Sequence, residues 1–479
     1  MASRVLTSSS APWLPAKDRE HLLRRVSSAL RRARAEGRPV LFSVSSVLQG
    51  RRDPSAIVAA SRRAGEPWFC FEQPECDRFA LAALGSVTEL TGAGPDRFVS
   101  MSRQWRELVA RAQAESPSGP PGSGLIAVGG FSFAPDGGAA PAWEGFASAS
   151  LIVPELSLAR RGDQTWLTAN RLVAGDDVAE QVVAGIEQRV AGLGDSPLPL
   201  LDPAPTGRYE VASPMPPAHF EAAVARATER IRRGEMEKIV LAREVEVHAP
   251  IAHDPAAVLG VLREAYASSF VFAVGRGDAT FLGATPELLV RREGQRATTV
   301  ALAGSTRRSA DPAVDDHLGE ALLRSEKDRE ENAIVARRIA RTLRPHSVWV
   351  TAAPDPVVVR VANIQHLARP IRAQLATPLE AIELAALLHP TPAVGAEPSA
   401  ALALIPALEG LDRGWYAGPV GWTDAGGDGE FCVALRSALL RGRVARCYAG
   451  CGIVADSEPA AELAESELKL GVMLPALVG

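Results

Sequence analysis

Two pairs of acidic residues at helical spacing are the first candidates for chemistry. Asp328 and Glu331 stand three apart in SEKDREEN (325–332), and Glu462 and Glu465 three apart in AELAESELKL (461–470). Residues i and i+3 share a helix face, so each pair can aim at one point. Oxygen ligands from two helices suit a hard, partly hydrated cation, and Mg²⁺ is the natural choice. Each pair also lies in a run of charges that solvated ion pairs would explain, so spacing alone leaves both readings open. Arg436 in EFCVALRSALL and Lys469, one turn beyond Glu465, add cations, and AGCGI (449–453) adds glycines whose amides an anion can approach. Together they describe a pocket for a small carboxylate-rich ligand beside a metal. Separately they describe an arginine on an exposed sheet face and a tight strand end.

An acid–base couple is a further candidate. Lys238 opens the apolar strand KIVLA, where burial favours the neutral amine and lets it act as a base. Glu287 follows Gly283-Ala284-Thr285-Pro286 and precedes Leu288-Leu289-Val290, surroundings in which a carboxyl group keeps its proton and serves as an acid. A lysine guarding a strand edge and a glutamate capping a hairpin are the plain alternatives. Cys447 and Cys451 lack partner ligands for zinc, and His389 in LLHPTPAVG reads as a hydrogen-bonded structural histidine, since no serine or cysteine elbow accompanies it.

The elements that must carry these residues follow from periodicity. Ala218–Arg233 reads as a helix closed by Gly234, then Lys238–Val247 as a strand. Val271–Val274 with Thr280–Leu282, and Glu287–Arg292 with Ala297–Leu302, read as hairpins. His317–Leu343 reads as one long charged helix, Gly421–Leu440 with Arg443–Ile453 as a hairpin, and Pro459–Leu474 as the final helix. Strand-like segments at Pro39–Val47, Leu125–Phe133, Ala149–Ile152 and Thr165–Ala169 alternate with helices upstream. Pro197–Pro217, with seven prolines, separates an N-terminal region (1–210) expected to pack on a catalytic core (215–479). Glu115–Gly124 (ESPSGPPGSG) reads as an exposed loop. Hairpins mixed with helices predict an α+β protein with large, mostly antiparallel sheets and helices outside, and no βα alternation.

Composition narrows the partners. The 479 residues are 47% hydrophobic and 23% charged, with net charge −4, which offers no field for nucleic acid. Five cysteines without paired spacing read as reduced thiols, and no apolar stretch reaches the ~20 residues a membrane span needs, so a cytoplasmic protein is expected. The basic segment Asp18–Gly37 reads as a surface helix.

Taken together, ten segments resemble the chorismate-binding enzymes, which include isochorismate, salicylate, aminodeoxychorismate and anthranilate synthases. They are EKIVLAR (237–243), FLGATPELLVRREG (281–294), ALAGSTRR (301–308), SEKDREEN (325–332), NIQHLARP (363–370), LLHPTPAVG (387–395), DRGWYAGPVGW (412–422), GDGEFCVALRSA (427–438), YAGCGIV (448–454) and AELAESELKL (461–470), all in family order. The first ~200 residues are similar mainly at GGFSF. The resemblance implies Mg²⁺ ligands at Glu331 and Glu465, with Asp328 and Glu462 behind them through water. It implies substrate contacts at Gly304, His366, Arg436, Gly450 and Lys469, a general base at Lys238 and a general acid at Glu287.

Lys238 and ALAGSTRR are similar to the branch that adds water to chorismate, which implies isochorismate as the product. The segments at 387–395 and 412–422 are more like its menaquinone-pathway members. Salicylate synthases, which go on to eliminate pyruvate, and siderophore-pathway isochorismate synthases are the alternatives. No glutaminase subunit is implied, and a monomer is expected. Asn332 departs from the pattern: many relatives have His directly after the metal-ligating glutamate, a change that could tune metal affinity without altering the reaction.

Overall fold

The computed structural model describes residues 16–115, 118–202, 206–361 and 364–478. Residues 116–117 of the Glu115–Gly124 loop, 203–205 of the proline-rich stretch and Asn363 of NIQHLARP lie outside the described residues.

Among the described residues two large sheets organise the chain, and every pairing between their strands is antiparallel. The first has 12 strands. Its main path runs Val40–Leu48, Gln164–Val173, Leu156–Arg161, Phe79–Leu84, Trp68–Gln73, Phe270–Arg276, Ala279–Thr285, Ser437–Arg441, Val444–Ile453, Lys238–His248 and Ala396–Glu397. The second has 10 strands and runs Ser347–Ala352, Ile364–Leu375, Arg296–Arg307, Leu288–Glu293, Gly429–Val433, Pro419–Asp424, Ile126–Phe131, Ala149–Val153 and Thr88–Gly92 along its main path. Both sheets cross the proline-rich stretch without a break, because Trp68–Gln73 pairs with Phe270–Arg276 and Ile126–Phe131 with Pro419–Asp424.

The larger apolar cluster joins the two sheets: Phe69, Phe71, Phe272 and Phe281 come from the first, and Val128, Phe131 and Phe431 from the second. Phe79 and Trp422 meet across them with ring centroids 6.4 Å apart. A second cluster covers the remaining face of the 12-stranded sheet, where Leu22, Val26 and Leu30 of one helix and Leu259 and Leu262 of another lie over Cys70, Ala82 and Leu440. This is the α+β architecture expected from hairpins mixed with helices, with strands whose two faces are both buried reading as continuous apolar runs. Among the described residues no helix is long and apolar enough to cross a membrane.

Three expectations are corrected in detail. The helix read over His317–Leu343 is two, Pro312–Arg324 and Glu326–Leu343, because Ser325 leaves helical geometry (φ −64°, ψ 114°) and caps the second. Gly421–Leu440 is not one arm of a hairpin: the chain forms Pro419–Asp424 and Gly429–Val433 in the second sheet, then crosses to Ser437–Arg441 in the first. The final helix ends at Leu470, with a short helix Leu474–Val478 after it.

Candidate active site

A cavity opens between the sheets. Val240, Tyr448, Gly450 and Gly452 line it from the first sheet, and Leu302–Ser305 and His366 from the second. Glu287 and Arg436 stand at two of the places where the chain passes from one sheet to the other, and both line the cavity. These corners are stitched together: Val433 N donates to Glu287 O at 3.0 Å, and Ala284 N to Arg436 O at 3.1 Å. Arg436 holds φ +47°, a left-handed conformation that a non-glycine residue keeps only when its surroundings impose it.

Electrostatics divide the cavity. Glu287 is buried, and burial pushes its carboxyl up to about 7 although Lys238, Lys469 and Arg436 pull it back. It is therefore a proton carrier at neutral pH. His366 is held well below the usual range by burial, then by Arg436 and Lys469. Arg436 Nη2 hydrogen-bonds His366 Nε2, and arginine can only donate, so Nε2 accepts and the ring is the neutral Nδ1–H tautomer. Arg436 Nη1 is buried without a hydrogen-bond partner, a donor ready for a ligand carboxylate.

The acidic pairs meet as the spacing anticipated. Glu331, from Glu326–Leu343, and Glu465, from Pro459–Leu470, both line the cavity. Lys238 Nζ lies 2.8 Å from Glu331 Oε1, and Lys469 Nζ lies 2.8 Å from Glu465 Oε1. Lys469 also donates to Gly450 O at 2.9 Å, while Lys327 pairs with Glu462 at 3.1 Å. Burial, then the neighbouring Glu465, pushes the Glu462 carboxyl up; burial also raises Asp328, and Glu331 adds to it. Glu465 is lowered despite its burial, chiefly by Lys469. Burial pulls Lys469 down, but Glu465 together with Cys451 and Glu331 outweighs it, and Lys469 is held above its usual range.

Four carboxylates crowded at one end, two of them raised partly by their acidic neighbours, form a donor set that a hard divalent cation would relieve. Ligand atoms of Cys451, Glu462 and Glu465 also fall within 4.8 Å of one another. Burial keeps the Cys451 thiol protonated and it donates to Glu462 O, so it suits such a cation poorly.

Gly304, His366, Arg436, Gly450, Lys469, Glu287, Glu331 and Glu465 all reach the cavity wall. Lys238 lies just behind it, fully buried against Glu331, and Asp328 and Glu462 also stand back from it. Gly304 turns at φ +81°, where a Cβ would come within 2.9 Å of Asp328 Cβ. Gly450 answers a different need, because a Cβ there would lie 2.8 Å from Leu241 O on the adjacent strand. Sequence reasoning missed Ser305, whose hydroxyl donates to Glu465 Oε1 at 2.8 Å, and Tyr416 and Gly452, which line the cavity. All three lie inside motifs already singled out.

Comparison with known proteins agrees with this geometry. A family model described as chorismate binding enzyme matches residues 28–478, and the chain belongs to that family. It is 40% identical over 452 residues to the salicylate biosynthesis isochorismate synthase of Pseudomonas aeruginosa, covering 94% of this chain and 92% of that one. It is 33% identical to isochorismate synthase MenF of Bacillus subtilis, over 95% of this chain and 97% of the relative. Among solved structures, MenF, the menaquinone-specific isochorismate synthase from Escherichia coli, matches with TM-score 0.75 and 26% identity, covering 95% of this chain and all of that one (100%).

Proposed function

We propose that this protein is an isochorismate synthase, converting chorismate to isochorismate by adding water at C2 of the ring and expelling the C4 hydroxyl. The observation that carries this reading is Glu287, a buried carboxyl raised to about 7 in the same cavity as Arg436 and Lys469, with Lys238 the leading charge that pulls it down. The relatives named isochorismate synthase support it.

In this mechanism Arg436 receives the substrate's side-chain carboxylate through its free Nη1, while His366 and the strand corners hold the guanidinium in place. Lys238 takes a proton from water as the oxygen bonds to C2. The ring double bonds shift, the C4–O bond breaks, and Glu287 gives its proton to the departing hydroxyl, which leaves as water. Turnover leaves Lys238 with one proton more and Glu287 with one fewer. The reverse reaction starts from that state with the roles exchanged, so the conversion is reversible. Mg²⁺ held by Glu331 and Glu465, with Asp328 and Glu462 behind them, would neutralise the ring carboxylate and orient the ring.

Menaquinone formation is the proposed fate of the product, supported by the segments at 387–395 and 412–422 and by relatives named MenF. The Pseudomonas aeruginosa relative, named for salicylate biosynthesis, favours a second reading in which isochorismate is destined for salicylate. The test is incubation of the purified protein with chorismate, with and without Mg²⁺, followed by NMR. Isochorismate alone is the expected product. Salicylate with pyruvate would make the chain a salicylate synthase, and absence of turnover in Mg²⁺ would overturn the enzyme reading.

A further inference from the structure

We propose that Asn332 is a positioning residue that fastens the helix carrying Glu331 to the β-bulge carrying Gly304 and Ser305. It thereby sets the carboxylate end of the cavity against the Arg436 end. The proposal rests on the reading of this cavity as the chorismate site.

The bulge is defined by strand register. Leu302 pairs with Ala368 and Ser305 with His366, so Ala303 and Gly304 together oppose the single residue Leu367. Such a two-against-one insertion interrupts the ladder and bends the strand. Asn332, 0% exposed, reaches this point from the helix. Its Nδ2 donates to Ala301 O and Leu367 O, each at 3.0 Å, one carbonyl on either strand. Its Oδ1 accepts from Arg369 Nε at 3.2 Å, which fixes the orientation of the amide. A side chain with two donors and an acceptor in one plane therefore serves three groups that the interrupted ladder brings together.

What the bulge positions is the cavity itself. It turns Gly304 to φ +81° against Asp328 and places Ser305 where it hydrogen-bonds Glu465. Opposite Ser305 stands His366, which hydrogen-bonds the Gly304 backbone and accepts from Arg436. One residue before Asn332 on the helix is Glu331. A shift of the Asn332 amide is thus transmitted to Glu331 through the helix, to Glu465 through Ser305 and to Arg436 through His366, although Asn332 itself does not line the cavity.

The experiment compares N332D, N332H and R369A with the wild type and with L343A, a core truncation near the end of the same helix. Melting temperature, kcat, KM for chorismate and the Mg²⁺ concentration giving half-maximal rate are measured. N332D keeps the shape but turns an oxygen toward the two carbonyls. It is expected to lower kcat and raise the Mg²⁺ requirement by about tenfold or more, the scale seen when residues supporting metal ligands are changed. N332H, with a ring N–H in place of the amide, is expected to restore most of that loss, and L343A to lose stability with kinetics near wild type. If N332D fails to fold, R369A, which frees the amide from its acceptor side, carries the test through a raised Mg²⁺ requirement at a nearly unchanged melting temperature. Kinetics of N332D, or of R369A where N332D does not fold, that match wild type or L343A would overturn the proposal. If wild-type protein makes no isochorismate, the functional reading fails by itself. Calorimetric binding of Mg²⁺ and chorismate to the same variants then decides the role of Asn332.

Discussion

Glu331 Oε1 occupies the space into which a side chain at position 452 would grow: a Cβ on Gly452 would fall 2.1 Å from that oxygen and 2.9 Å from Lys238 Cε. The absence of a side chain on this strand is what lets the helix carboxylate and the buried lysine meet. G452A is therefore expected to push the pair apart and lower kcat/KM for chorismate by about a hundredfold, the scale of a displacement near 1 Å at a reacting centre. Steady-state kinetics at saturating Mg²⁺ measure this, and a G452A enzyme within a few-fold of wild type would remove Gly452 from the site.

The elevated Glu287 carboxyl predicts an alkaline limb. A general acid works protonated, so kcat/KM should fall as pH rises through about 7. Bound substrate engages Arg436, one of the cations that pull Glu287 down, so the same limb in kcat should lie at higher pH. E287Q should lose the limb together with about two to four orders of magnitude in rate. The sign for stability follows from linkage. The folded protein holds this proton more tightly than the unfolded chain (ordinary value 4.5), so wild type loses stability as pH rises from there through about 7. E287Q should therefore melt above wild type at pH 8, and a lower melting temperature at that pH would contradict the assignment.

Lys238 carries the base assignment. K238A should abolish water addition, with a loss of about two to four orders of magnitude, while chorismate affinity measured by calorimetry stays near wild type. An active K238A enzyme would move the base elsewhere.

The carboxylate cluster predicts metal dependence. Enzyme stripped with a chelator should be inactive and recover with Mg²⁺. E465Q should raise the Mg²⁺ needed for half-maximal rate by about tenfold or more. Full activity in the stripped enzyme would discard the metal from the mechanism.

Much of this site was legible in the chain, and the omissions have physical causes. Three-residue spacing suffices to bring Asp328 with Glu331, and Glu462 with Glu465, onto shared helix faces, and the structure keeps both. The apolar run after Glu287 correctly forecast its raised carboxyl. The break at Ser325 was missed because charges continue across it, while a serine hydroxyl bonded to a later amide leaves little trace in hydrophobic period. Ser305 escaped notice for a related reason. Strand alternation predicts which residues share a face, but the bulge at Ala303–Gly304 resets that parity, and its one local signal in ALAGSTRR is the glycine at 304. That Glu287 and Arg436 occupy facing corners depends on long-range pairing, which one sequence does not reveal.

The way both sheets run through the proline-rich stretch also decides how this protein can be cut. A fragment beginning at Pro217 would lose six strands from one sheet, Glu210–Ala212 among them, and three from the other. It would leave Phe270–Arg276 and Pro419–Asp424 as bare edges, both long apolar strands of the kind that recruit other chains. Expression of the chemically competent segment by itself should therefore yield aggregates, and co-expression with residues 1–216 as a separate polypeptide should restore soluble material by filling those edges.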